Sequence, residues 1–498
     1  MSGPGDRIVT GGRYCFAPMG WALPASSSAA NHGPLARLRA GVAAGRFAAP
    51  NLPLFAAGLI LPNLLSLATL TSLIDVGLPP RTGCILMYAT LAMAARAMPF
   101  ALTAVLYVPI LAFDLVWTLS VSFGLRPQDL VTALHFAERV RVFESLLYVV
   151  LIGVIVATSG ATLTLLAQRA RLRRGNIAAL FAAAIALAGA DYVSNSSPYF
   201  AFGAMLGRGV PVQSAVDDSG FGAVAGVDGR NAVLVVVESL GQLSDPQARG
   251  QIDAPLFDPR VTQKYKVTSG SITYFGSTTS AEMRELCHTR EPYADYVKTS
   301  GFSCMPQRLH MRGYATMAVH GFTRTFFDRE TWYPTVGFDK DVFGVALAKQ
   351  TRRLCGGAFR GACDADLPPV IAQEAAFSSK PKFIYWLTLN THIPIAPGEA
   401  LTRYHCSRDP GRFNHLQVCR MAELWHDLFG AVARLALDPS IGPADILVVG
   451  DHAPPLWSKQ GRAQFVPGRV PWYRLSPRDG VVAAQDWQRA SAASVASR

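Results

Sequence analysis

Glu238, Thr278, Asp451 and His452 have side chains suited to holding one divalent cation beside a nucleophilic hydroxyl. Carboxylate, imidazole and hydroxyl groups make a mixed oxygen and nitrogen donor set that suits a divalent cation. A threonine hydroxyl held against such a cation loses its proton more easily and can attack phosphorus near neutral pH. The four residues lie in three distant stretches, so the fold must bring them together. Val-Leu-Val-Val-Val at 233–237 runs straight into Glu238, and Ile446 to Gly450 runs into Asp451 and His452. Both runs are short, β-branched and continuously apolar, which reads as buried parallel strands that each end in a polar group. In an open α/β sheet, ligands bind beyond the carboxyl ends of the strands, where two such ends can converge.

Each element alone has a plainer reading. A Glu at a strand end is commonly a solvated terminus, and Asp-His is a common dipeptide. Thr278 or Thr279 with Glu282 spells a capping box that would open a helix over 281–287. That reading is compatible with catalysis, because a helix amino terminus offers backbone donors and a favourable dipole to a phosphoryl group.

The elements that must position these residues fall into two compositional halves. The chain has 498 residues, half of them hydrophobic and 16% charged, and the apolar ones are concentrated in the first 200. Apolar runs at about 54–76, 83–97, 99–123, 145–168 and 176–193 each approach the ~20 residues needed to cross a bilayer. They predict a membrane unit of about five helices over 52–193, behind a basic flexible cytoplasmic leader at 1–51 without a signal-peptide core. With the amino terminus inside, the leader, Arg96 and the cluster Arg169, Arg171, Arg173 and Arg174 all fall on the cytoplasmic side. The loop 124–144 then lies outside, where its apolar residues suit an interfacial amphipathic helix or a plain connecting helix. Asp114, inside the third run, is either functional or paired with a neighbouring helix. The net charge of +12 is scattered and largely explained by these flanks, which gives no reason to expect nucleic acid.

Residues 194–230 read as a Gly-, Ser- and Asp-rich linker. From 231 onward strands at 231–238, 314–319, 383–389 and 444–450 alternate with helical stretches, predicting a mostly parallel sheet flanked by helices. Six of the eight cysteines lie in this half, which suggests disulfides in an oxidising compartment, with Cys355 and Cys363 a natural pair; free buried cysteines are the alternative.

Five segments then carry a resemblance. Asn231 to Gly241, Gly276 to Glu282, His320 to Tyr333, Asn-Thr-His-Ile-Pro at 390–394 and Gly450 to His452 resemble, in order, the motifs of lipoteichoic acid synthases and related phosphoglycerol transferases. These belong to the alkaline phosphatase and sulfatase superfamily, and the membrane unit is also similar to that of the lipid A phosphoethanolamine transferases. The resemblance implies a sulfatase-like catalytic domain over 231–498 on the periplasmic side of a bacterial inner membrane. It implies one zinc or manganese ion on Glu238, Thr278, Asp451 and His452, with Thr278 as nucleophile. His320, Arg329 and His392 would line the pocket for the phosphoryl group and the acceptor. Arg329 has the fork of donors that suits phosphate oxygens, and His392 titrates where proton transfer needs it. More plainly, His320 would be a hydrogen-bonded core histidine and Arg329 a surface ion pair with Asp328 or Glu330. Phe327 stands where the family typically has Trp, and Ala453-Pro454-Pro455 follows His452 where relatives usually place glycine.

Cys304-Met305-Pro306-Gln307-Arg308 has the spacing of the sulfatase formylglycine motif, but Met305 and Gln307 are not the small residues that motif takes. It also suits the start of a helix with Pro in its first turn. The expected activity is transfer of a phosphoglycerol or phosphoethanolamine head group from a membrane phospholipid to a hydroxyl of a glycan or glycolipid. A hydrolase on the same scaffold and a catalytically degenerate membrane sensor or assembly protein are the alternatives.

Overall fold

The computed structural model describes residues 49–478 apart from 72–74, 197–210, 226–228, 300–302, 352, 377–379, 396–397, 400–402 and 407–409. Nearly all of the leader, the linker positions 197–210 and 226–228, and the last 20 positions of the chain lie outside the described residues. Among the described residues, four helices are long and apolar enough to cross a membrane: Ala49–Leu70, Phe100–Phe123, Leu146–Leu166 and Ile177–Asn195. They match four of the five predicted runs. The remaining run forms Thr82–Ala94, a helix of 13 residues. At about 1.5 Å per residue that is roughly 20 Å, short of the ~30 Å hydrocarbon layer, so a count of five full-length spans is not met.

The helices are tied together by a buried polar cluster centred on Arg81. Its guanidinium pairs with Asp114 (Nε to Oδ1, 2.8 Å) and donates to Ser66 Oγ at 2.9 Å. Its backbone N–H donates to Asp191 Oδ2 at 2.7 Å, and Tyr88 OH donates to Asp114 Oδ2 at 3.2 Å. Asp114 is therefore a pairing residue. At the opposite end, Arg96 and Arg173 each donate to the other's carbonyl and Arg169 donates to Ala97 O, so these three arginines lie at one end of the helices, while the leader's basic residues lie outside the described residues.

The second half is built on a seven-stranded sheet. Its strands are β1 (Ala232–Val237), β2 (Tyr265–Thr273), β3 (Ala315–His320), β4 (Lys340–Phe343), β7 (Lys382–Leu387), β8 (Asp445–Gly450) and β9 (Arg469–Pro477). The small pair β5 (Leu354–Cys355) and β6 (Gly361–Ala362) forms a separate hairpin. The order is β2-β9-β8-β1-β7-β3-β4, with β8, β1, β7, β3 and β4 parallel and β9 and β2 antiparallel at one edge. All four predicted strands are present within a residue or two; β2, β4 and β9 were not predicted. β1 and β8 are wholly buried because both faces are covered, one by the Leu416–Leu437 helix around Trp425, the other by a cluster including Tyr333, Tyr385 and Phe383.

Register brings the polar strand ends together. Val237 lies opposite Gly450, so the next residues, Glu238 and Asp451, emerge side by side; Leu387 lies opposite both Val236 and His320. Gly450 has to be glycine, since a Cβ there would stand 2.0 Å from Leu240 O. Three disulfides, Cys287–Cys304, Cys355–Cys363 and Cys406–Cys419, use all six cysteines of this half.

Candidate active site

At the carboxyl edge of β1 the chain turns sharply, with Ser239 at φ 57°, a left-handed conformation that a non-glycine residue adopts rarely and at a cost of about 1–3 kcal/mol. The turn lets Ser239 Oγ donate to Glu238 Oε1 (2.8 Å) and Ser239 N donate to Asp451 Oδ1 (2.7 Å), fixing both carboxylates. Glu238 is held further by its N–H on Thr388 Oγ1 at 3.0 Å and by Thr391 Oγ1 on its carbonyl at 2.5 Å. His452 Nδ1 lies 2.9 Å from Ala453 O. A carbonyl can only accept, so Nδ1 carries the proton and Nε2 turns its lone pair toward the carboxylates. That nitrogen is 3.3 Å from Asp451 Oδ2 and 3.8 Å from Glu238 Oε1.

Thr278 completes the group. The Thr278–Cys287 helix begins at this residue, after Ser277 as N-cap and Gly276 at φ 65°. The helix starts three residues earlier than predicted, and the capping box does not form: no side chain caps it, and Glu282 is fully buried elsewhere. Thr278 Oγ1 donates to Glu238 Oε2 at 3.1 Å and stands 3.4 Å from His452 Nε2.

The donor set fits a divalent cation. One ligand atom from each of Glu238, Asp451 and His452 lies within 4.8 Å of the others, and Asp451 Oδ2 is buried with no hydrogen-bond partner. Burial, with the charge of Glu238 beside it, pushes the Asp451 carboxyl well above the usual range. Burial pushes Glu238 up as well, but electrostatic interaction with the His392 and His452 rings and the hydroxyls of Ser239 and Thr278 outweigh it and hold Glu238 below its ordinary value. Two adjacent buried carboxylates ionise together only against compensating positive charge, which a cation at this point supplies.

A cavity of about 180 Å³ opens onto these groups. Thr278, His392 and His452 line it, and so do Phe123 and Leu125 at the end of the Phe100–Phe123 helix and Tyr148 near the start of Leu146–Leu166. The loop 124–144, predicted as an interfacial or connecting helix, closes over this region: Phe136 packs on Phe326 and Phe327, and Arg141 N donates to Ala358 O at 2.9 Å.

His392 sits in the cavity wall with Nδ1 2.8 Å from Ile393 O and its ring 3.8 Å, centre to centre, from Phe359. Burial holds its pKa below the ordinary value, so the neutral ring presents Nε2 as a base. His320 and Arg329 do not line the cavity. His320 bonds through Nδ1 to Leu387 O (3.0 Å), and burial with the nearby Arg329 charge pushes it down to about 3, which makes it a neutral core histidine. Arg329 is neither free for phosphate nor paired with Asp328 or Glu330; its guanidinium is spent on Glu282, 2.9 Å away. Glu282 also accepts from Tyr333 OH at 2.5 Å and Tyr385 OH at 3.2 Å.

Sequence reasoning missed Glu282 as a buried anchor, Phe359, and Asp364, whose Oδ2 accepts from Leu389 N (2.8 Å) and Asn390 N (2.7 Å) and so shapes the loop carrying His392. The adjacent Cys355–Cys363 pairing, which was anticipated, was the one available pointer to that region.

With this geometry in place, the sulfatase family model matches residues 230–428, which takes in Glu238, Thr278 and His392. Residues 230–428 are thus the stretch that is similar to the sulfatase family. Within it Cys304 is bonded to Cys287 and caps the Met305–Met311 helix, which removes it as a formylglycine nucleophile. Among solved structures, the chain is similar to the lipoteichoic acid synthase LtaP of Listeria monocytogenes, at 17% identity over 50% of this chain and 66% of that one, TM-score 0.39. It is similar to the phosphoglycerol transferase GacH of Streptococcus pyogenes, at 16% identity over 52% and 73%, TM-score 0.37. It is also similar to the lipooligosaccharide phosphoethanolamine transferase EptA of Neisseria meningitidis, at 13% identity over 86% and 88%, TM-score 0.46. No curated protein matches the chain in sequence.

Proposed function

We propose that the chain is a membrane phosphotransferase that moves a phosphoglycerol or phosphoethanolamine head group from a phospholipid, through a phosphothreonine at Thr278, to a hydroxyl of a glycan or glycolipid. The carrying observation is the cavity that joins the Thr278 hydroxyl to the ends of two apolar helices. A donor anchored in a bilayer reaches that hydroxyl with its phosphate while its chains stay among the helices, and confinement to the surface raises its effective concentration.

Glu238, Asp451, His452 and Thr278 would hold one zinc or manganese ion, which, when bound, favours the ionised form of the threonine oxygen and offsets charge on the phosphoryl group. The chain's own residues do the rest. The Thr278 oxygen forms its bond to phosphorus as the bond to the diacylglycerol oxygen breaks, and the threonine proton ends on the diacylglycerol. In the second half the acceptor hydroxyl attacks the phosphothreonine and passes its proton to His392 Nε2, and the Thr278 oxygen leaves and is reprotonated. His320 and Arg329, which the resemblance placed against substrate, act on this reading as supports beneath the site.

In this proposal the Thr82–Ala94 helix serves as a fifth, shorter membrane element, the basic end of the bundle faces the cytoplasm, and the sulfatase-like domain lies outside an inner membrane. The test is incubation of the purified full chain with phosphatidylglycerol and phosphatidylethanolamine labelled in the head group, with a glycolipid acceptor. Label on the acceptor supports transfer; label released only as free phospho-alcohol identifies a hydrolase; label left entirely on lipid contradicts both.

A further inference from the structure

Arg284 lies six residues beyond Thr278 on the same helix and is fully buried, as is its ion-pair partner Glu285 (Nε to Oε1, 2.7 Å). Its other two nitrogens reach across to the end of β8: Nη1 donates to Asp451 O at 3.0 Å and Nη2 to Gly450 O at 2.9 Å. These carbonyls lie past the β8–β9 pairing, which stops at Val449. Glu285 in turn accepts from Ser214 Oγ (2.8 Å) and Val216 N (3.1 Å), which lie within the stretch 194–230 expected as a linker, at the start of the short Ala215–Asp218 helix.

A fully buried ion pair is a costly way to fill a core, since well-packed apolar residues in its place are often as stable or more so. What apolar residues cannot do is grip two successive carbonyls from one planar group, which fixes distance and angle together. The two things gripped are the helix that carries the hydroxyl and the strand end that carries Asp451 and His452.

We propose that Arg284, oriented by Glu285, is the positioning residue that sets the separation between Thr278 and the Asp451–His452 pair. The proposal rests on the metal-site reading above and adds to it a residue that touches neither cation nor substrate. Lysine keeps the charge of Arg284 but places a single ammonium where two forked donors are needed.

The test is calorimetric titration of Mn²⁺ into the detergent-solubilised full chain, alongside head-group transfer kinetics, for wild type, Arg284→Lys and Ser214→Ala. Arg284→Lys is expected to bind Mn²⁺ about 10- to 100-fold more weakly, as when groups supporting a ligand are lost, and to lower kcat with little change in KM for phospholipid. Ser214→Ala, which removes one of the bonds to Glu285, is expected to shift affinity the same way by a smaller factor. A folded Arg284→Lys protein with wild-type Mn²⁺ affinity and kcat overturns the proposal. Should Arg284→Lys fail to fold, unchanged Mn²⁺ affinity in Ser214→Ala overturns it instead. A wild-type chain that binds no Mn²⁺ overturns the metal reading itself, and this proposal with it.

Discussion

The apolar helical half and the α/β half both bury arginine–carboxylate pairs, and Arg81–Asp114 and Arg329–Glu282 are used differently. In the bundle the guanidinium is the hub: Arg81 gathers Asp114 and Ser66 with its side chain and Asp191 with its backbone, from three separate helices. Beneath the site the carboxylate is the hub, with Arg329, Tyr333 and Tyr385 all donating to Glu282. The first pair lies among helices long and apolar enough to cross a membrane, where hydrocarbon would offer no water to a released charge. The second sits on the helix that begins with Thr278, where apolar packing already secures the fold, and what it adds is orientation.

The sharpest way to separate the site from both pairs is Thr278→Ala. We expect it to cut head-group transfer by about 10³-fold or more while the melting temperature stays near wild type, as measured by labelled-lipid assay and thermal unfolding. Next come the pairs themselves. Arg81→Met or Arg329→Met alone strands a buried carboxylate and is expected to cost about 3–5 kcal/mol in unfolding experiments. The contrast lies in the repair. Arg81→Met with Asp114→Asn should recover both stability and activity, whereas Arg329→Met with Glu282→Gln should recover stability and leave transfer impaired. Equal recovery of activity in both doubles would erase the distinction drawn here.

Phe359→Ala, which removes the ring lying against His392, is expected to lower kcat by about tenfold without a matching loss of fold, because it loosens a proton-transfer group without removing it. The smallest effect concerns Asp364. Burial, with the Glu238 charge adding to it against the opposing backbone bonds, raises its carboxyl to about 7. A raised folded-state pKa means that the acid form is favoured by folding, so this stability is full below the unfolded value and is lost as pH rises through about 7. Asp364→Asn should therefore gain melting temperature relative to wild type at pH 8 and gain little at pH 4.

Much of the layout was legible in the sequence because the signals were strong and local. Continuous β-branched runs ending in Glu238 and Asp451 marked the two central strands, and apolar length marked the four helices long enough to cross a membrane. β2 and β9 were not legible: Tyr265–Thr273 is only partly buried and interrupted by Gly270, and β9 carries Pro471 within a sheet interior, where proline argues against a strand. Arg329 was misplaced for a different reason. Its partner lies 47 residues away, and neither residue's local context announces a pairing that only the fold creates. The capping box failed similarly, since Glu282 matches the pattern in sequence but is drawn inward by two tyrosines and an arginine.

The claim on which the account turns is that the Thr278 oxygen becomes the transient carrier of phosphorus. Purified chain mixed briefly with phospholipid in the absence of acceptor, quenched in acid, digested and read by mass spectrometry, measures it directly. The account predicts a phospho-alcohol adduct on Thr278 that disappears when acceptor is added. Turnover proceeding with Thr278 unmodified at every time point, or undiminished in Thr278→Ala, would contradict it.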